Sequence, residues 1–260
     1  MKRATAQSAI TLLGMIFALF TSQLIMAQAA VSTEEMEKLR AKLSLSLEVA
    51  SQNQLQISAM TATELANVIE VELNTGEMLY TDISGSYIFA GDMFQVSPAG
   101  LVNISASKRQ IRIQEKVAAI PSEELIIFTP DQTKATITVF TDVDCTYCRA
   151  LHRDIEKLLE LGIQVRYAAY PRGGEQATSF SKMISVWCSD DRARALTQAK
   201  NGQNLPEKNC NTPVLQHYAI GNEIGITGTP ALVFPDGKVV PGYNAEGGAE
   251  WLAQLLNINN

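Results

Sequence analysis

Apolar positions first recur at helical spacing. Met36, Leu39, Leu43 and Leu47 follow Ser32-Thr33-Glu34-Glu35, whose order of hydroxyl and acid resembles a capping box. This predicts an amphipathic helix whose apolar stripe must pack on something. From about Ala66 the pattern shortens to β-like runs at Val68–Leu73, 77–81 and 87–90, broken at Asn74-Thr75-Gly76 and Ser84-Gly85-Ser86, which reads as a meander of hairpins. A last short run at 93–96 is ended by Pro98 and Gly100. Residues 105–119 are rich in Lys, Arg, Gln and Glu, with Ile111, Ile113 and Val117 as apolar points, and predict a solvated connecting helix that stops before Pro121. Beyond it, 125–128 and 137–140 are continuous apolar runs of buried strands, separated by the polar turn 129–133. Leu151, Ile155, Leu158 and Leu159 return to helical spacing, 163–169 is a further strand, and 171–228 reads as a helical insertion. A hairpin follows at 231–234 and 239–240 across Pro235-Asp236-Gly237, and residues 249–256 supply a closing helix.

The N-terminus changes this picture by shortening the chain. Lys2 and Arg3 lead into an apolar run from Ile10 to Met26, and Ala27-Gln28-Ala29 supplies a small-x-small cleavage pattern, so residues 1–29 read as a signal peptide of an exported protein. The run is interrupted by Thr11, Gly14, Thr21, Ser22 and Gln23, which disfavours an uncleaved membrane anchor. Of 260 residues, 21 are Lys or Arg and 27 are Asp or Glu, and loss of the leader removes two of the bases. So acidic a chain argues against a nucleic-acid partner. Its length suits one large or two modest domains.

Candidate chemistry concentrates between the strand at 137–140 and the helix after it, at Cys145-Thr146-Tyr147-Cys148. The free amides and positive dipole end of a helix N-terminus favour a thiolate, so Cys145 is expected to be the more exposed, lower-pKa nucleophile and Cys148 the resolving thiol. A spacing of two lets the pair close as a disulfide after Cys145 has attacked a substrate. Zinc is the competing reading of C-x2-C, but Cys188 and Cys210 are far apart in sequence and His152 and His217 form no H-x3-5-H pair. The order strand, C-x-x-C, helix, strand is the core of a thioredoxin-like α/β fold, with chemistry at the carboxyl edge of the sheet. Gly228-Thr229-Pro230, directly before the strand at 231–234, is the second constellation this chemistry needs. A cis proline there turns the Thr229 backbone outward beside Cys145, where it can pair with an extended substrate segment.

With these motifs in order, the chain resembles the periplasmic protein-disulfide isomerase family of DsbC and DsbG. The likeness is carried by Gly91-Asp92-Met93, Thr138-Val139-Phe140-Thr141-Asp142, Arg166-Tyr167, Tyr170-Pro171-Arg172, Trp187-Cys188, residues 225–230 and Val240-Pro241-Gly242-Tyr243. The resemblance implies a small α+β, cystatin-like dimerisation domain at 30–104, a hinge helix at 105–124 and a thioredoxin-like catalytic domain at 125–260. It implies a redox-active Cys145–Cys148 pair, substrate contacts at Thr146, Tyr147, Thr229 and Pro230, and a structural Cys188–Cys210 disulfide, with two buried free thiols as the alternative to that bridge. It further implies a homodimer acting on misfolded disulfide-containing exported proteins, with chaperone activity beside the redox one, a DsbD-type membrane reductase as electron donor and no dissociable cofactor.

Some residues depart from that pattern or read blandly. Family members carry Gly where this chain has Thr146, and thioredoxins carry a buried acid where it has Val139, so the usual proton acceptor for Cys148 is missing. Asp142 and Asp144 read as helix-capping acids, with proton shuttling as the alternative. His152 reads as a surface or stacking residue, and Arg149 as a solvated charge. A DsbA-like oxidase is the first rival, disfavoured by the additional domain at 31–100. A holdase chaperone with secondary redox activity is the second.

Overall fold

A computed structural model describes residues 31–258, so the expected leader at 1–29 lies outside the described residues. Helix α1 (Thr33–Ser51) opens with a complete capping box, in which the Glu35 amide donates to Ser32 Oγ and the Ser32 amide donates to the Glu35 carboxylate. Its buried Leu39, Leu43 and Leu47 cover one face of an antiparallel sheet formed by β1 (Ile57–Ala62), β2 (Val68–Leu73), β3 (Met78–Asp82) and β4 (Ile88–Ala90). Ile69, Val71, Leu73 and Leu79 complete that core. Burying leucines in this way is what holds such a small unit together, and truncating one to Ala typically costs about 2–5 kcal/mol.

Two strands lie where the sequence pattern suggests none. Edge strand β1 is irregular between Ile57 and Ala59, and its small and polar residues blur the alternation that marks a strand. The run at 93–96 does end before Pro98, but a partner strand follows it. Pro98 and Ala99 form the loop of a hairpin between β5 (Phe94–Ser97) and β6 (Gly100–Asn103), with Gly100 at φ +118, a conformation that favours glycine.

Helix α2 (Ile104–Ala118) starts where Asn103 Oδ1 accepts the Ala106 amide at 2.8 Å. Its first half is fixed to the polar face of the N-terminal sheet: Lys108 pairs with the buried Glu70 at 3.1 Å and Arg112 with Glu72 at 3.0 Å. Farther along, Ile113 and Val117 pack against Ile120, Leu125, Phe140 and Val233 of the C-terminal unit. The connecting helix is therefore not solvated all round, because its apolar points fall on one face and that face is covered; Ile111 alone of the three stays exposed.

The C-terminal unit is a five-stranded sheet in the order β11-β10-β8-β9-β7, made of β7 (Ile126–Phe128), β8 (Ala135–Thr141), β9 (Ile163–Ala169), β10 (Ala231–Val233) and β11 (Val239–Pro241). Strands β8 and β9 run parallel, and every other pair is antiparallel. The crossover between them holds α3 (Thr146–Arg153) and α4 (Ile155–Glu160). These are not one helix, since the chain bends at Asp154, whose carboxylate accepts the Tyr243 hydroxyl at 2.7 Å. The insertion folds as α5 (Phe180–Trp187), α6 (Arg192–Lys200) and α7 (Val214–Glu223), and α8 (Gly248–Leu255) closes the chain. Ile137, Val139, Val165 and Tyr167 form the larger core with α3, α4, α5, α6 and α8. On the opposite face α7 comes so close that a Cβ on Gly221 would lie 2.6 Å from the Tyr170 ring.

Candidate active site

Strand β8 ends at Thr141, and the turn Asp142-Val143-Asp144 delivers Cys145 as the N-cap of α3. Cys148 sits one turn on, and both residues are free thiols. The expected difference in exposure is absent: Cys145 is 3% and Cys148 1% exposed. The loop before β10 is what covers Cys145, whose thiol donates to the Thr229 carbonyl at 3.2 Å. Thr146 and Tyr147 flank the pair on the surface, Tyr147 being 60% exposed.

Though both are little exposed, the two thiols have opposite acidities. Cys145 is lowered to about 5, first by the hydrogen bond that the Cys148 thiol gives its sulfur, then by the Thr229 hydroxyl, the Cys148 amide and the charge of Arg172, with burial opposing. The helix terminus contributes through that amide, which faces the sulfur without closing a cap hydrogen bond, so the dipole is secondary to the neighbouring thiol. Burial pushes Cys148 well above the ordinary thiol value, and donating to Cys145 raises it further. Lys200 and the Asp142 amide act in the other direction. The Thr229 hydroxyl is buried without a hydrogen-bond partner, a donor left for a thiolate at Cys145.

The Thr229–Pro230 peptide is cis. Its loop is braced by the Tyr170 hydroxyl, which donates to the Ile226 carbonyl at 2.6 Å, and by the Gly242 amide, which donates to the Pro230 carbonyl at 2.7 Å. Ala231 then pairs with Phe140 of β8, which fixes Thr229 beside the start of α3.

Other candidates fall into supporting places. Asp142 is buried, and its carboxylate accepts the Arg172 amide at 3.0 Å, the Arg172 Nε at 3.3 Å and the Asp144 amide at 2.9 Å, so it ties the turn to residue 172 instead of capping α3. Asp144 pairs with Arg149 and Lys182. Arg149 also donates from Nε to the Val143 carbonyl at 2.9 Å, which folds it back over the turn and away from the role of a free solvated charge. His152 is no surface residue: its ring nitrogens meet the Tyr167 hydroxyl at 3.0 Å and Thr197 Oγ1 at 2.9 Å, and burial, aided by Lys200, lowers it to about 3. It is a neutral strut. Val139 lies in the core with no exposure. Cys188 and Cys210 are joined by a disulfide, with Cα atoms 5.8 Å apart, which ties the end of α5 to the segment before α7. Sequence spacing gave no signal for Lys200, and Tyr167 and Arg172 stood out only as parts of motifs.

Residues 27–106 match the family described as the N-terminal domain of disulfide bond isomerase proteins, and residues 121–257 match the thioredoxin-like domain. The thiol:disulfide interchange protein DsbC of Salmonella typhimurium is 35% identical over 189 residues, covering 73% of this chain and 77% of that protein. DsbC of Escherichia coli strain K12 is 34% identical over 191 residues, covering 73% and 78%. A crystal structure of a disulfide interchange protein from Neisseria gonorrhoeae shares 28% identity over 53% of this chain and 96% of that one, at a TM-score of 0.47. With a C-x-x-C pair on a thioredoxin-like sheet and this N-terminal unit ahead of it, the chain belongs to the DsbC family of thiol:disulfide interchange proteins, which are disulfide isomerases.

Proposed function

We propose that Cys145, as a thiolate, attacks a wrong disulfide in an exported protein, and that the mixed disulfide is released either by rearrangement of the client or by attack of Cys148. The observation that carries this reading is Cys145 at the N-cap of α3, one turn before Cys148 and with its thiol on the Thr229 carbonyl beside a cis proline; the opposite shifts of the two thiols support it. The cis Thr229–Pro230 loop favours a client strand pairing with the Thr229 backbone, with Thr146 and Tyr147 as the rim of the site. Isomerisation needs Cys145 kept reduced, for which a DsbD-type membrane reductase is the donor, in a periplasmic setting reached through the leader at 1–29. The domain limits are 30–104, 105–124 and 125–260.

The N-terminal unit makes the protein a homodimer. Support comes from Tyr87, Ile88, Phe89, Phe94, Val96 and Leu101, large apolar side chains exposed on and beside strand β4 and the β5–β6 hairpin. The same apolar surface favours a chaperone activity beside the redox one. A client with scrambled disulfides tests the redox roles: Cys145→Ser abolishes recovery of the native client, and Cys148→Ser keeps part of it. Equal residual activity in the two variants overturns the assignment.

A further inference from the structure

The reading of Cys148 as the resolving thiol raises a difficulty. A buried thiol whose acidity is suppressed must ionise before it attacks, and Val139 stands where an acid would take its proton. Around Cys148 the insertion contributes an unexpected group. Lys200, the last residue of α6, is 3% exposed, and lysine is rarely buried unless it is paired. Among the described residues it has no carboxylate within ion-pair distance. Its ammonium donates to the buried Thr141 Oγ1 at 2.7 Å and lies 5.4 Å above the Tyr167 ring. Thr141 is the last residue of β8, and the Cys148 sulfur faces the backbone amide of the very next residue, Asp142. Lysine and thiol therefore converge on adjacent residues of one strand end.

We propose that Lys200 is a positioning residue for resolution: anchored on Thr141, its ammonium stabilises the Cys148 thiolate that attacks the mixed disulfide. The groups facing it leave little else for that charge to serve. From α3 and its cap come Cys148, Cys145, Arg149 and the neutral His152; from β8 and the turn come Thr141 and Asp142; from β9 comes Tyr167. Asp142 is engaged by Arg172 and Arg149 by Asp144, and of the charges acting on Lys200 that of Cys148 is the strongest. Burial lowers Lys200, and an ionised Cys148 restores it, so each charge supports the other. In the step itself, Cys148 Sγ forms a bond to Cys145 Sγ while the bond from Cys145 to the client sulfur breaks. The client sulfur leaves with the electron pair and gains, through solvent, the proton that Cys148 gave up. The cysteine pair is oxidised by two electrons and the client disulfide is reduced.

An aromatic disulfide, 5,5′-dithiobis(2-nitrobenzoate), separates the two steps in the full-length protein. One equivalent of the coloured thiolate leaves when Cys145 is modified, and a second leaves when Cys148 resolves the adduct. Lys200→Met should keep the first phase within about twofold, slow the second about tenfold or more at pH 7, and move its pH midpoint upward by about one unit, the equivalent of that tenfold change. Thr141→Val, which releases only the anchor, should slow the second phase in the same direction by less, and it reads the same step should Lys200→Met fail to fold. A second phase with unchanged rate and pH midpoint in whichever of these variants folds overturns the role of Lys200. Loss of the first phase's dependence on Cys145, tested with Cys145→Ser, would instead overturn the reading of the cysteine pair on which this inference rests.

Discussion

The two neighbouring sulfurs of the dithiol, both little exposed, differ in depth and in partners. Cys145 receives hydrogen bonds and the Arg172 charge, whereas Cys148 donates a hydrogen bond to Cys145 and is desolvated by burial. Alkylation of Cys145 should therefore titrate with a midpoint near 5, and Cys148 should stay unreactive through neutral pH. Parallel midpoints for both thiols would contradict this. Stability follows with a defined sign. Between about 5 and 9.0 the unfolded chain holds a proton that folded Cys145 has lost, so the dithiol form gains stability as pH rises and loses that contribution as pH falls through about 5. Comparing denaturation midpoints of the dithiol wild type and Cys145→Ser at pH 5 and 7 reads it, and a constant difference would refute it. The meeting of Cys145, Cys148 and Thr229 was legible because C-x-x-C before a helix and Gly-Thr-Pro before a strand are local patterns. Lys200 was not, because a basic residue in the last turn of a helix ordinarily serves the helix dipole, and only the folding of α6 against α3 brings it to the thiols.

Among the elements, runs with a clear apolar pattern were readable even when short, as at β4, β7 and β10, and strands without one were not. Helix α1 and strands β2, β8 and β9 carry their pattern over six or more residues, and the helix cap adds a second signal. Strand β1 exists because β2 offers it an edge, and β6 because a proline-containing loop turns the chain back, neither of which shows in local hydrophobicity. The insertion places Lys200, and the Cys188–Cys210 bridge ties α5 to the segment before α7 across a sequence separation of 22. Replacing both cysteines with Ala should cost roughly 3 kcal/mol, the loop-closure value for a ring of this size. Urea denaturation measures it, and a loss below about 1 kcal/mol would mean that packing of Trp187 and α5 already confines the segment.

Across the whole molecule, two units share one helix. The N-terminal sheet holds the first half of α2 by ion pairs and the C-terminal unit holds its second half by Ile113 and Val117, so the site's orientation relative to the exposed β4 surface is fixed by α2. If that surface joins two protomers, two Cys145 sites serve one client and retention by one arm raises the effective concentration at the other. Phe89→Asp with Val96→Asp, both at exposed positions, should give a folded monomer by light scattering with aromatic-disulfide chemistry intact and isomerisation reduced about tenfold or more. A monomer that isomerises as well as the wild type would remove the two-armed account. A connecting helix before Pro121 was legible from its polar composition, but its packing on both units was not, since Ile111, Ile113 and Val117 are too few to mark a buried face. The central claim is that Cys145 begins the exchange and Cys148 completes it. Its most direct test is peptide mapping of the mixed disulfide trapped when Cys148→Ser meets a client with scrambled disulfides: the client should be bonded to Cys145, and failure to find any bond there would contradict the account.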